Sequence, residues 1–256
     1  MPSINPNRPR PRTGTRLARF FGLVSAAGLL WAAWAGEVPR WRLAGSAMVP
    51  HAGLPPLIAR PLGPGPGGRI FCLGDSNTAG NRGPAGEGGR RGYPAWLREH
   101  LRGIPVLVFA RGGARASDIP LPDPLPRAGD FVILMAGTND AAPRGWLRGR
   151  SPTPPDRFEQ NLQAMAARLG ENGAAVLVLA PLPGGSTAIE ARLAPYRLAT
   201  RRAAGSAGAA FADPQAAFAG MDAALLHDAL HLRPAAQEAL ARWLAGMISY
   251  APQDGA

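Results

Sequence analysis

The sequence predicts an α/β fold in which a parallel sheet is covered by helices on both faces, and three observations carry that reading. Five short apolar runs recur between residues 69 and 212, each continuous rather than alternating with polar residues, as strands buried on both sides are. Longer amphipathic stretches separate them, which implies right-handed crossovers between parallel neighbours. The chain has 256 residues of which 46% are apolar, enough to bury a full core but short for two domains, so one domain with an appendage is expected.

Residues 1–19 carry Arg8, Arg10, Arg12, Arg16 and Arg19 without an acidic residue, and an uncharged apolar run follows from Phe20 to Ala35. Basic then apolar is the order of an export signal. The run is short for a typical hydrocarbon core of ~30 Å, and Ala33-Trp34-Ala35 resembles the small-x-small exit of a cleaved signal peptide. Trp34, Trp41, Arg40 and Arg42 also suit an interfacial anchor, so a signal peptide and a retained membrane anchor over residues 1–36 both stand. Either places the remainder outside the cytoplasm, in the periplasm or beyond it. Residues 37–68 are rich in proline and glycine and show no sustained period, so a linker is expected there, with no chemistry for His51.

The strands are expected at Arg69–Leu73, Val106–Ala110, Phe131–Ala136, Ala175–Ala180 and Ala209–Ala212. Helical patterns cover Tyr93–Leu101, Phe158–Leu169 with Phe158, Leu162, Met165 and Leu169 on one stripe, about Ile189–Ala204, and Ala235–Ile248. The domain thus spans residues 69–250, with a tail at 251–256. In such sheets sites form beyond the carboxyl ends of the strands.

The net charge of +11 would suit a nucleic-acid partner. All the basic residues are arginine, however, dispersed among Ala, Gly and Pro with no nucleic-acid-binding motif, so no such partner is expected. Cys72 is the sole cysteine, which excludes an intrachain disulfide and a cysteine metal cluster, and among Ile70, Phe71 and Leu73 it reads as a buried strand residue.

Three blocks carry chemistry. Gly74-Asp75-Ser76 follows the first strand, where a hydroxyl is exposed and free backbone N–H groups meet an anion, although the same triplet also makes an ordinary helix cap. Gly137-Thr138-Asn139-Asp140 follows the third strand, where an asparagine amide can donate to a developing oxyanion or simply form a turn. Late in the chain stands Asp228-Ala229-Leu230-His231, a spacing that lets a carboxylate reach an imidazole Nδ1–H while Nε2 takes a proton. His227 has Ala224 three positions before it and reads as a surface histidine, as does His100 on its helix.

Together these blocks resemble the SGNH (GDSL-like) hydrolase superfamily over about residues 69–250. The resemblance implies a flavodoxin-like three-layer α/β/α fold with about five parallel strands. It implies an ester hydrolase with Ser76 as nucleophile, Asp228 and His231 as acid–base partners, and Ser76 N–H with Asn139 as oxyanion donors. A further donor is expected after the second strand at Gly113, or at Arg115 on the other register of Val108-Phe109-Ala110-Arg111-Gly112-Gly113-Ala114. Asn77 stands where the leucine of the family motif often stands, a departure that touches no role the mechanism requires. No cofactor or metal is implied. O-acetyl groups of carbohydrate or lipid esters are the expected substrates. An O-acyltransferase with the same triad and a non-catalytic envelope-binding protein are the alternatives. Arg82, Arg111, Arg115, Arg144 and Arg233 fall near the motif-bearing loops and would favour an anionic substrate, though solvated surface accounts for them more simply.

Overall fold

The computed structural model of the chain describes residues 47–58, 62–80, 91–142, 151–221 and 225–248. The basic and apolar segment 1–36, the tail 251–256, Arg82 and Arg144 lie outside the described residues. Among those described, no helix is long and apolar enough to cross a membrane.

Five strands form the sheet: β1 (Ile70–Gly74), β2 (Val106–Ala110), β3 (Phe131–Met135), β4 (Ala175–Leu179) and β5 (Ala210–Ala212). Every pairing is parallel and the order is β2-β1-β3-β4-β5. The helices are α1 (Ser76–Ala79), α2 (Tyr93–His100), α3 (Pro155–Gly170), α4 (Thr187–Ser206) and α5 (Pro234–Met247). Each strand sends alternate side chains to opposite faces. Phe71, Leu73, Val132, Leu134, Val176, Val178 and Phe211 meet α3 and α4 on one side. Ile70, Cys72, Phe131, Ile133, Leu177 and Leu179 meet α2 and α5 on the other. This double burial is why the strands read as continuous apolar runs.

One crossover has no α-helix. Between β2 and β3 the chain makes only a 3₁₀ turn at Ala116–Asp118 before running on to Phe131. Pro120, Pro122, Pro124 and Pro126 remove alternate backbone donors there and forbid a helix. That edge is closed by side chains instead. Phe71 and Phe109 stack at 5.9 Å, the Arg69 guanidinium lies 4.9 Å from the Phe71 ring centre, and Arg69 forks onto Asp130 at 3.1 and 2.8 Å.

The expected linker is corrected in its described parts. Leu57 exchanges main-chain hydrogen bonds with Phe211, the Val49 N–H donates to the Gly184 carbonyl at 2.9 Å, and Met48, Leu54 and Leu57 pack on the core. Residues 47–58 are therefore a strap laid along β5, covering an otherwise open sheet edge. Isolated apolar residues among prolines show no period, so their burial leaves no mark on the sequence pattern.

Candidate active site

The three blocks converge on the carboxyl rim of the sheet. Gly74 closes β1, and the Asp75 carboxylate accepts the Asn77 N–H at 2.9 Å, which caps α1 and places Ser76 in its first turn. The cap reading of Gly-Asp-Ser thus holds, and the same turn brings Ser76 toward His231. Ser76 is half-buried, and its Oγ lies 2.9 Å from His231 Nε2.

His231 stands in a loop closed by a bridge between Leu226 and Leu232. Asp228 Oδ1 accepts the N–H groups of Leu230 and His231 at 2.9 and 3.1 Å, and its Oδ2 lies 3.0 Å from His231 Nδ1. The carboxylate therefore shapes the loop and orients the ring, leaving Nε2 toward the hydroxyl. Such a line can draw a proton from Ser76 and hold the resulting imidazolium beside a negative charge.

Asn139 follows β3 because Gly137 permits the turn. Gly137 has φ +112°, and a Cβ there would meet Pro181 at 2.6 Å and Phe158 at 3.1 Å. The Asn139 amide donates to Asp75 Oδ2 at 3.2 Å, which holds it beside the serine turn. Burial pushes the Asp75 carboxyl up to about 6, against the Asn77 N–H, His231 and Asn139, which favour its charged form. Asp140 is buried; its Oδ2 accepts the Ala116 N–H at 3.0 Å and ties the β2–β3 loop to the end of β3, and burial also raises its carboxyl.

In that loop Gly112 approaches the serine, where an added Cβ would stand 4.0 Å from the Ser76 Cβ. Gly113 is next, with φ +77°. Arg115, the other register, caps the 3₁₀ turn, and its guanidinium donates to the Ser151 carbonyl at 2.5 Å. Arg111 and Arg233 likewise donate to the Asp118 and Leu226 carbonyls, so all three described arginines of the expected anionic cluster bind main chain.

Three histidines lie apart from this line. His100 is exposed on α2. His227 is half-buried rather than a surface residue, because its N–H donates to the His231 carbonyl within the loop bridge. His51, expected in a linker, is packed by the strap with Nε2 3.0 Å from Asp213 and Nδ1 3.4 Å from Glu190, which pairs with buried Arg197. Cys72 is buried in β1 with its thiol pushed up to about 12 by burial, which fits an inert strand residue.

No role was expected for Asn77, and Gln237 was not singled out from the sequence. The Asn77 side chain bonds the main chain of Leu230 and Leu232, and Gln237 joins the Asn77 carbonyl to the Tyr93 N–H at the start of α2. The asparagine in place of leucine was the available signal.

Residues 72–239 match the model of the GDSL-like Lipase/Acylhydrolase family. Among solved structures, similarity extends to an acetylxylan esterase from Geobacillus stearothermophilus, at 20% identity and a TM-score of 0.58, covering 74% of this chain and 99% of that one. An alpha/beta hydrolase enzyme from the metagenome of Lake Arreo, Spain, gives 23% identity and a TM-score of 0.57 over 75% of this chain and 99% of its own. A second acetyl xylan esterase gives 21% and 0.55 over 69% and 98%. At these identities the likeness is one of fold. No curated protein matches the sequence.

Proposed function

The chain belongs to the GDSL-like lipase/acylhydrolase family and is a carboxylic ester hydrolase; from that premise we propose that it is an exported enzyme that cleaves O-acyl esters through an acyl-enzyme on Ser76. The observation that carries the proposal is the unbroken line from Ser76 Oγ through His231 to Asp228. In this reading Ser76 Oγ attacks the acyl carbonyl as His231 Nε2 takes its proton. The N–H groups of Ser76 and Gly113 and the Asn139 amide receive the tetrahedral oxyanion. His231 then passes the proton to the departing alcohol; it next draws one from a water whose oxygen attacks the acyl carbon, and returns it to Ser76 Oγ as the bond from that oxygen to the acyl carbon breaks and the acid leaves.

Acetyl groups on carbohydrate hydroxyls are the proposed substrate class, supported by the acetylxylan esterases that share the fold. Export is supported by the order of arginines and apolar residues before Gly36. The test is hydrolysis of p-nitrophenyl esters from acetate to palmitate and of acetylated xylan, beside labelling by a fluorophosphonate. Activity greatest on acetate, with labelling lost in Ser76→Ala, is expected. Equal labelling of the Ser76→Ala protein, or hydrolysis confined to long acyl chains, would overturn the nucleophile or the substrate class respectively.

A further inference from the structure

Asp228 orients the His231 ring, but both residues lie in one loop, so their bonds do not fix that loop relative to Ser76. The bond between Ser76 Oγ and Nε2 cannot fix it either, because a proton leaves and returns along it in every turnover. Some other contact must keep the two segments in register.

Asn77 follows Ser76 directly and is 1% exposed. Its Nδ2 donates to the Leu230 carbonyl at 3.0 Å, and its Oδ1 accepts the Leu232 N–H at 3.1 Å. These are the main-chain groups immediately before and after His231. Gln237 holds the clip from behind, with Nε2 donating to the Asn77 carbonyl at 3.2 Å and Oε1 accepting the Tyr93 N–H at 2.8 Å. We propose that Asn77 is a positioning residue for ester hydrolysis, its amide pairing with Leu230 and Leu232 so that the backbone of His231 is registered against Ser76.

The proposal rests on the serine-hydrolase reading above. A leucine at this position has neither donor nor acceptor and would leave the buried Leu230 carbonyl and Leu232 N–H unpaired. The imidazole would then wander from the hydroxyl, and displacements near 1 Å cost about 100-fold in rate. The binding of a small ester, which touches neither main-chain group, would persist.

Wild type, Asn77→Leu, Asn77→Asp and Ser76→Ala are compared on p-nitrophenyl acetate well below their melting temperatures. Asn77→Leu is expected to lose about 10- to 100-fold in kcat with KM within about threefold. The imidazole Nδ1–H resonance of His231 should broaden with it. A fall in melting temperature with kcat and this resonance intact would overturn the proposal. Should Asn77→Leu fail to fold, Asn77→Asp decides. Its protonated carboxyl can donate to Leu230 and accept from Leu232, whereas the carboxylate repels the Leu230 carbonyl. Above about pH 6, where an aspartate is ordinarily ionised, Asn77→Asp should lose about tenfold or more in kcat with KM within about threefold, and a kcat equal to wild type would overturn the clip. Undiminished activity in Ser76→Ala would instead remove Ser76 as the nucleophile, and with it the reading on which the clip rests.

Discussion

Two Asp–His pairs stand out among the described residues, and they differ in what faces the second ring nitrogen. His231 and Asp228 lie 3.0 Å apart at the rim, and His51 and Asp213 lie 3.0 Å apart under the strap. Both rings are similarly buried. His231 offers its free side to the Ser76 hydroxyl, however, while His51 offers its own to Glu190. An imidazole between a carboxylate and a hydroxyl can shuttle a proton; one between two carboxylates is a latch. The third partner, not the pair, separates chemistry from fastening.

The sharpest way to break the contrast is to neutralise each aspartate. Asp228→Asn should lower kcat on the order of 10⁴-fold, since the ring loses the partner that sets its tautomer. Asp213→Asn should leave kcat within about threefold. Equal losses in steady-state ester hydrolysis would erase the distinction. Next in size is Asn139→Ala, expected to cost on the order of 10²–10³ in kcat with folding preserved, as removal of an oxyanion donor does.

The two regions should also respond to pH with opposite sign. Burial raises Asp75 to about 6, so the folded protein keeps a proton that the unfolded chain has lost. Stability is therefore fullest below about pH 4 and falls as pH rises toward 6, by on the order of 2–3 kcal/mol. Thermal unfolding of Asp75→Asn should lack that fall. Burial also pushes Asp213 up, but His51 and the N–H groups of Leu54 and Gln215 outweigh it and hold the carboxyl below its ordinary value. Its contribution is present above about pH 4 and is lost as pH falls through the lowered folded value. The smallest expected effect is His51→Ala, a loss of about 1–2 kcal/mol near pH 7 with kcat unchanged. Denaturant unfolding should show that loss shrinking below about pH 4, where Asp213 takes up its proton; a loss that kept growing there would mean Asp213 is not its partner.

The rim was legible where its residues are close in sequence or stand at strand ends. Gly74-Asp75-Ser76 and Asp228-Ala229-Leu230-His231 each carry their chemistry within four positions, and the apolar runs placed the sheet within a residue or two. The strap was not legible, because His51 meets Asp213 across 162 positions and neither residue stands in a motif. Asn77 was visible as a departure from a motif, but its use depends on Leu230 and Leu232, more than 150 residues away.

The sequence by itself determined the strands and helices through their period, since burial on two faces is a local property, and pointed to Ser76, Asp228 and His231 through its resemblance to a known family. Tertiary structure alone decided which histidine meets a hydroxyl, that proline-rich residues 47–58 fasten β5, and that Asn77 joins Ser76 to His231. Those contacts follow from how the crossovers bring distant loops to one end of the sheet, and no short stretch of sequence holds that information.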